Sequence, residues 1–257
     1  MYSTLLLTSP KFDVLESLAS RIVREDCDGL DLALLVLNNL SIPYDNKVLI
    51  VLGKSSLKLF DCLSRIMDKD IPERVLASIC LTNLSIIPEG GKAILYHAPI
   101  QEWCPELSLL SNPESLIRIV ERSLMLKFDS IPVELSMYKE SLRWSCHLVK
   151  NLCSCEENAN LMSISQIPNL VLNLLKKSEL PSSSWNVESV EDAALRTLCK
   201  FATWPILRLT LLEANATEII TGFTGGEDVY DYKSHEILCS LSGQSMENSW
   251  EHKYEEL

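Results

Sequence analysis

The string Leu37-Asn38-Asn39-Leu40-Ser41 recurs as Leu81-Thr82-Asn83-Leu84-Ser85 and, altered, as Val149-Lys150-Asn151-Leu152-Cys153. Each copy lies among apolar residues spaced three or four apart, the period of an amphipathic helix. A helix repeated in this way cannot bury its apolar face alone. It needs a neighbouring copy to cover it, so the recurrence constrains the chain to a stack of similar helical units. Asn83 follows Asn39 by 44 residues and Asn151 follows Asn83 by 68. Lys200 and Ser240 continue the series at the same position. Spacings of about 40 to 47 residues belong to helical solenoids with two or three helices per unit, and the long interval holds one period plus about 24 residues.

Composition agrees with helix. The 257 residues include only 8 glycines, and Leu recurs throughout; scarce Gly and abundant Leu favour helix over a turn-rich β fold. The hydrophobic fraction of 47% and charged fraction of 23% suit a folded chain with a large core.

The units show an internal order. In the first, an apolar helix over 31–40 ends at the marker, a polar break spans 42–46, and an amphipathic stretch runs from Lys47 to Leu63. Gly53, Ser55 and Ser56 divide that stretch, and Leu59, Leu63, Ile66 and Met67 keep one face apolar. In the second, Pro72 begins a helix whose buried stripe is Ala77, Cys80, Leu81 and Leu84. Ile87 to Gly91 is expected to break it before a restart at Lys92. Residues 96–136 fit the period poorly and carry four prolines. They are read as the remaining helix of the second unit, over 114–128, plus an insertion on one face. A third unit has a helix over 138–153, a turn at 156–160 and a helix over 167–178. A loop spans 180–186, a fourth unit runs from Val190 to about Gly222, and a last helix covers 233–241. The expected organisation is an N-terminal capping helix region over 1–27, a repeat domain over 28–242 with an insertion near 96–136, and an acidic, mobile tail over 243–257.

These residues resemble the armadillo repeat family, known from β-catenin and importin-α. The resemblance rests on Ala33 to Ser41 and Ala77 to Ser85, each an Ala-and-Leu-rich run ending in Asn-Leu-Ser. It extends to Asn46 to Gly53 followed by Leu57 to Leu63, and to Asn160 to Leu175. It covers roughly residues 28 to 242. The likeness implies an all-α fold, a right-handed superhelical solenoid of about four to five armadillo-like repeats. It also implies that the marker helices line a groove in which Asn side chains hold an extended peptide. Carried over by position, Asn39, Asn83 and Asn151 become groove residues. An amide suits that task because it both donates and accepts. The same amides can instead bond to a neighbouring unit and pin the stacking.

The chain departs from the family in two places. Importin-type arrays place Trp four residues before the marker, where this sequence has Leu35, Ile79, His147 and Arg196. That departs from recognition of a nuclear localisation signal. The Asn series also stops at Lys200. Arg143, His147, Lys150, Arg196 and Lys200 would then form a basic segment of the groove suited to an acidic ligand, with Trp144 and Trp204 as apolar anchors. The alternative reading is a solvated face.

Charge and motifs narrow the function. A formal charge of −12 argues against a general nucleic-acid binder and against docking on an anionic membrane. A basic peptide partner is compatible with it. No apolar run approaches the roughly 18 residues of a membrane helix, and no signal peptide is visible. The nine cysteines fall largely at apolar helical positions, as reduced cysteines in cytosol or nucleus do. Cys146, Cys153 and Cys155 lack the paired spacing of a zinc site. Gly222 to Gly226 lacks the Lys of a phosphate loop, and the four His residues have no evident catalytic neighbours. No cofactor, metal or catalytic residue is expected. The expectation is an intracellular scaffold or adaptor that binds a protein or peptide. Two alternatives stay open: a structural subunit of a stable complex that uses the insertion as a contact, and an enzyme with an unfamiliar site.

Overall fold

The computed structural model describes residues 14–24, 28–53, 56–69, 71–96, 113–125, 132–176, 188–224 and 229–243. The capping segment before Val14, the insertion between 97 and 112, the 180–186 loop and the tail beyond 243 lie outside the described residues. Among the described residues every regular element is a helix, as the sequence periodicity requires. In order they are α1 (Val14–Val23), α2 (Leu30–Leu40), α3 (Tyr44–Val51), α4 (Ser56–Asp68), α5 (Glu73–Leu84), α6 (Pro88–Tyr96), α7 (Pro113–Leu124), α8 (Pro132–Leu152), α9 (Glu156–Ser163), α10 (Ile167–Lys176), α11 (Val190–Ala202), α12 (Pro205–Glu213), α13 (Ala216–Thr221) and α14 (Val229–Ser242).

The chain forms two compact units, Met1–Ser154 and Cys155–Leu257. In the first, like packs beside like. The marker helices α2, α5 and α8 form one row, α1, α4 and α7 a second, and the short helices α3 and α6 a third. In the second unit α11 lies beside α14, α10 beside α13, and α9 beside α12. Three helices thus recur in fixed order: short, amphipathic, marker.

Local chemistry sets these elements. In α4, Leu59, Phe60, Cys62, Leu63, Ile66 and Met67 are buried and the residues between them are not, which gives one apolar face. Burying each large side chain stabilises the unit by roughly 1.5–3 kcal/mol. α11 begins where the Ser189 hydroxyl accepts the Asp192 backbone N–H at 3.1 Å, with Glu191 and Asp192 in its first turn. Pro205 starts α12, where a missing N–H costs nothing. Gly29, with φ of 85°, turns the chain into α2 as a residue with a Cβ rarely can.

Several expected boundaries move. Gly90 and Gly91, read as a break, lie inside α6. A Cβ on Gly90 would come within 1.9 Å of the Leu84 carbonyl oxygen, so glycine lets α6 start against the end of α5. The expected turn at 156–160 is helix α9, because Glu156 and Glu157 favour its N-terminus and Asn158 and Ala159 are buried. α8 begins at Pro132, earlier than the 138 expected, and α7 ends at Leu124. α7 packs against α4 and α8, so the helix expected over 114–128 as the remaining helix of the second unit is present, though shorter.

Candidate partner-binding face

The marker residues sit at matching positions on α2, α5 and α8. Asn39 is exposed, while Asn83 and Asn151 are half-buried. Asn83 Nδ2 donates to Asn38 Oδ1 at 2.8 Å and to Ser41 Oγ at 3.3 Å. Asn151 Nδ2 donates to the Thr82 carbonyl at 3.1 Å. Each therefore reaches the residue just before the preceding marker, and the amide pins neighbouring units together. Their side-chain oxygens accept no hydrogen bond among the described residues. Further links run beside them. The Thr82 hydroxyl donates to the Ser78 carbonyl at 2.7 Å and the Trp144 carbonyl at 3.3 Å. Cys80 Sγ lies 3.5 Å from the Leu34 carbonyl, and its burial raises the thiol pKa well above the ordinary value.

One turn before the markers stand Leu35, Ile79 and His147, and beyond them Leu32, Leu76 and Trp144. All six are exposed or half-buried, so the same side of the row carries an apolar strip under the amides. On α8 that strip meets charge. The Arg143 guanidinium lies 5.5 Å from the Trp144 ring centroid and pairs with Glu140 Oε2 at 2.5 Å. The Trp144 and His147 ring centroids are 5.6 Å apart at 59°. Lys139, Arg143, His147 and Lys150 follow one another at helical spacing, each half-buried. A guanidinium over an indole face holds both groups in place and leaves a flat surface with cationic edges.

The other two basic residues belong to the second unit. Arg196 Nε lies 3.0 Å from both Glu188 Oε1 and Asp192 Oδ2, so its charge is already matched by carboxylates. Lys200 Nζ stands 5.8 Å from the Trp204 ring centroid. Asp192 also pairs with Lys233 of α14, and both side chains are nearly buried. This ion pair is the polar tie between α11 and α14, joined by Cys199 Sγ at 3.7 Å from the Lys233 carbonyl. Burial, with Glu236 next, pushes the Cys199 thiol up to about 12. Sequence reading missed Asp192, Lys233, Asn38 and Thr82. The doubled Asn38-Asn39 was the one available signal. Asn46 and Asn158, each seven residues after a marker, are fully buried on α3 and α9.

Among the described residues no group of three or more His, Cys, Asp or Glu could hold a metal ion. None of the described helices is long and apolar enough to cross a membrane. No family model matches the sequence, and no curated protein matches it. Among solved structures, the chain is similar to a crystal structure of an engineered protein from the Northeast Structural Genomics Consortium. The TM-score is 0.50 and the identity 14%, over 90% of this chain and 98% of that one. A second engineered protein from the same consortium aligns with a TM-score of 0.48 and 16% identity, over 91% of this chain and 59% of that one. At this identity the first likeness concerns the fold alone.

Proposed function

We propose that this chain is an armadillo-like interaction scaffold whose marker face, on α2, α5 and α8, receives a segment of a partner protein. The observation that carries the reading is the alignment of three helices with amide, apolar and aromatic-basic groups on one side. Asn39, Asn83 and Asn151 are the amides, Leu35 and Ile79 the apolar floor, and Trp144 with Arg143, His147 and Lys150 the aromatic-basic end. A peptide laid across that side meets acceptors on the amide oxygens of Asn83 and Asn151, a flat anchor at Trp144 and cations beside it. The partner segment is acidic with an apolar anchor, since the cationic groups flank the indole. Arg196 and Lys200 belong to the second unit and are not part of this face; Arg143, like Arg196, already pairs with a carboxylate.

The test replaces residues that bear little of the stacking. A photo-cross-linking amino acid at Ile79 should capture a partner whose cross-linked peptide is acidic. Trp144→Ala and Lys150→Ala should each reduce capture about tenfold or more. Capture by both variants at the wild-type level would remove the marker face from the function.

A further inference from the structure

Each marker helix hands over to a short helix within a few residues. α2 ends at Leu40 and α3 starts at Tyr44; α5 ends at Leu84 and α6 starts at Pro88; α8 ends at Leu152 and α9 starts at Glu156; α11 ends at Ala202 and α12 starts at Pro205. In the second unit α9 and α12 lie side by side, and α12 is the last of that row among the described residues. It carries an uncovered apolar strip. Leu209 is 58% exposed and Leu212 42%, and Pro205 is exposed one turn before Leu209. The marker positions Asn151 and Lys200 are 49 residues apart. Counting back by that interval from Arg208 and Leu212 reaches Ala159, which is fully buried, and Ser163, which is half-buried. The same positions are thus better covered on α9, which has α12 beside it, than on α12 itself.

We propose that residues 246–257 dock along α12, with Met246, Trp250 and Tyr254 against Leu209 and Leu212, and so close the open end of the short-helix row. Three observations favour this segment as the occupant. The first is its point of attachment. α14, the last marker helix, ends at Ser242, and Arg208 Nη1 of α12 donates to the Ser240 carbonyl at 3.3 Å. Gly243 follows with φ of 74°, a left-handed turn that ends the helix and redirects the chain. The segment therefore starts beside the strip, at an effective concentration that a separate molecule lacks. The second is its pattern. Met246, Trp250, Tyr254 and Leu257 recur at intervals of four or three, the spacing of one helix face, and Met246 stands four residues after Ser242, the interval at which α3, α6 and α9 begin. The third is charge. α12 carries Arg208 and Glu213, while Glu247 and Glu251 flank one edge of the stripe and Lys253 the other. A stack of repeats needs its terminal apolar face covered, and this segment supplies the cover.

A photo-cross-linking amino acid at the exposed Leu209 of the full-length chain, purified alone, tests this. Mass spectrometry should place the main cross-link within residues 246–257. In an equal mixture of isotopically light and heavy protein, the linked peptides should come from one and the same chain. Trp250→Asp and Tyr254→Asp should each lower the yield roughly tenfold or more, because each removes an apolar anchor. Asn248→Asp, which lies off the stripe, should leave the yield unchanged. Circular dichroism checks that the variants keep their helices. A main cross-link outside residues 246–257 overturns the proposal, and so does the absence of any cross-link. A link that joins light and heavy chains, or one that survives both Trp250→Asp and Tyr254→Asp, overturns it equally.

Discussion

Replacing Asn83 by Ala, and Asn39 by Ala in parallel, separates what the marker amide does for the fold from what it does for a ligand. The two residues share one helical position, so the gain in helix propensity on going to Ala is the same for both, roughly 0.6 kcal/mol. Asn83 loses two half-buried hydrogen bonds, to Asn38 Oδ1 and Ser41 Oγ, while Asn39 loses none among the described residues. Each bond contributes about 1 kcal/mol net. Asn39→Ala should therefore be slightly stabilising. Asn83→Ala should cost about 1–1.5 kcal/mol, and the difference between them should be about 2 kcal/mol. In a thermal melt of a chain this long, that difference separates the midpoints by roughly 4–8 °C. Circular dichroism melts, supported by urea midpoints at unchanged slope, provide the measurement. Equal midpoints for the two variants would refute the claim that Asn83 joins α5 to α2. A partner-binding defect in Asn83→Ala must then be read against this loss of stacking.

Other outcomes follow from named contacts. Asp192→Ala removes a carboxylate from the nearly buried Lys233 ammonium and should destabilise the second unit by about 1–3 kcal/mol, read by urea unfolding; Asp192→Leu with Lys233→Met should recover most of it. Gly90→Ala should cost more than about 2 kcal/mol, because the new methyl group meets the Leu84 carbonyl backbone; its melt should drop well below that of an Ala substitution at the exposed Glu89. The Cys199 thiol, held up at about 12, should resist alkylation at pH 8.5 until the chain is unfolded, which mass spectrometry of the labelled peptide can follow. Because its folded value lies above the unfolded one, Cys199 contributes stability that is full below about pH 8.5 and lost as pH rises towards 12. Cys199→Ala should flatten that alkaline decline.

The helices were readable wherever an apolar stripe kept its period. Leu59, Leu63, Ile66 and Met67 marked α4, and Ala77, Cys80, Leu81 and Leu84 marked α5, because burial of one face alone imposes the spacing. The short helices were not. Gly90 and Gly91 read as a break because glycine usually signals one, yet here the close approach of two backbones requires it. Glu156 to Asn160 read as a turn because polar residues dominate it, while the burial of Asn158 and Ala159 depends on packing that no local window contains. The candidate face was legible in register but not in contacts. Asn83 and Asn151 stood out by recurrence, whereas their acceptors, Asn38 Oδ1 and the Thr82 carbonyl, lie 45 and 69 residues away. Arg196 stood out as a cation, but the carboxylates of Glu188 and Asp192 that match it become visible only once α11 is folded.

Thr82 gives its hydroxyl to the Trp144 carbonyl and its own carbonyl to Asn151, so α5 grips α8 at two levels, nearly two turns apart. The backbone under the indole is therefore tied to α5 on both sides. On the proposed function, a bound segment would sacrifice its own freedom but little of this chain's. Loosening Thr82, a residue that never touches the visitor, should then show up as a slower ordering step and a larger entropic penalty in calorimetry.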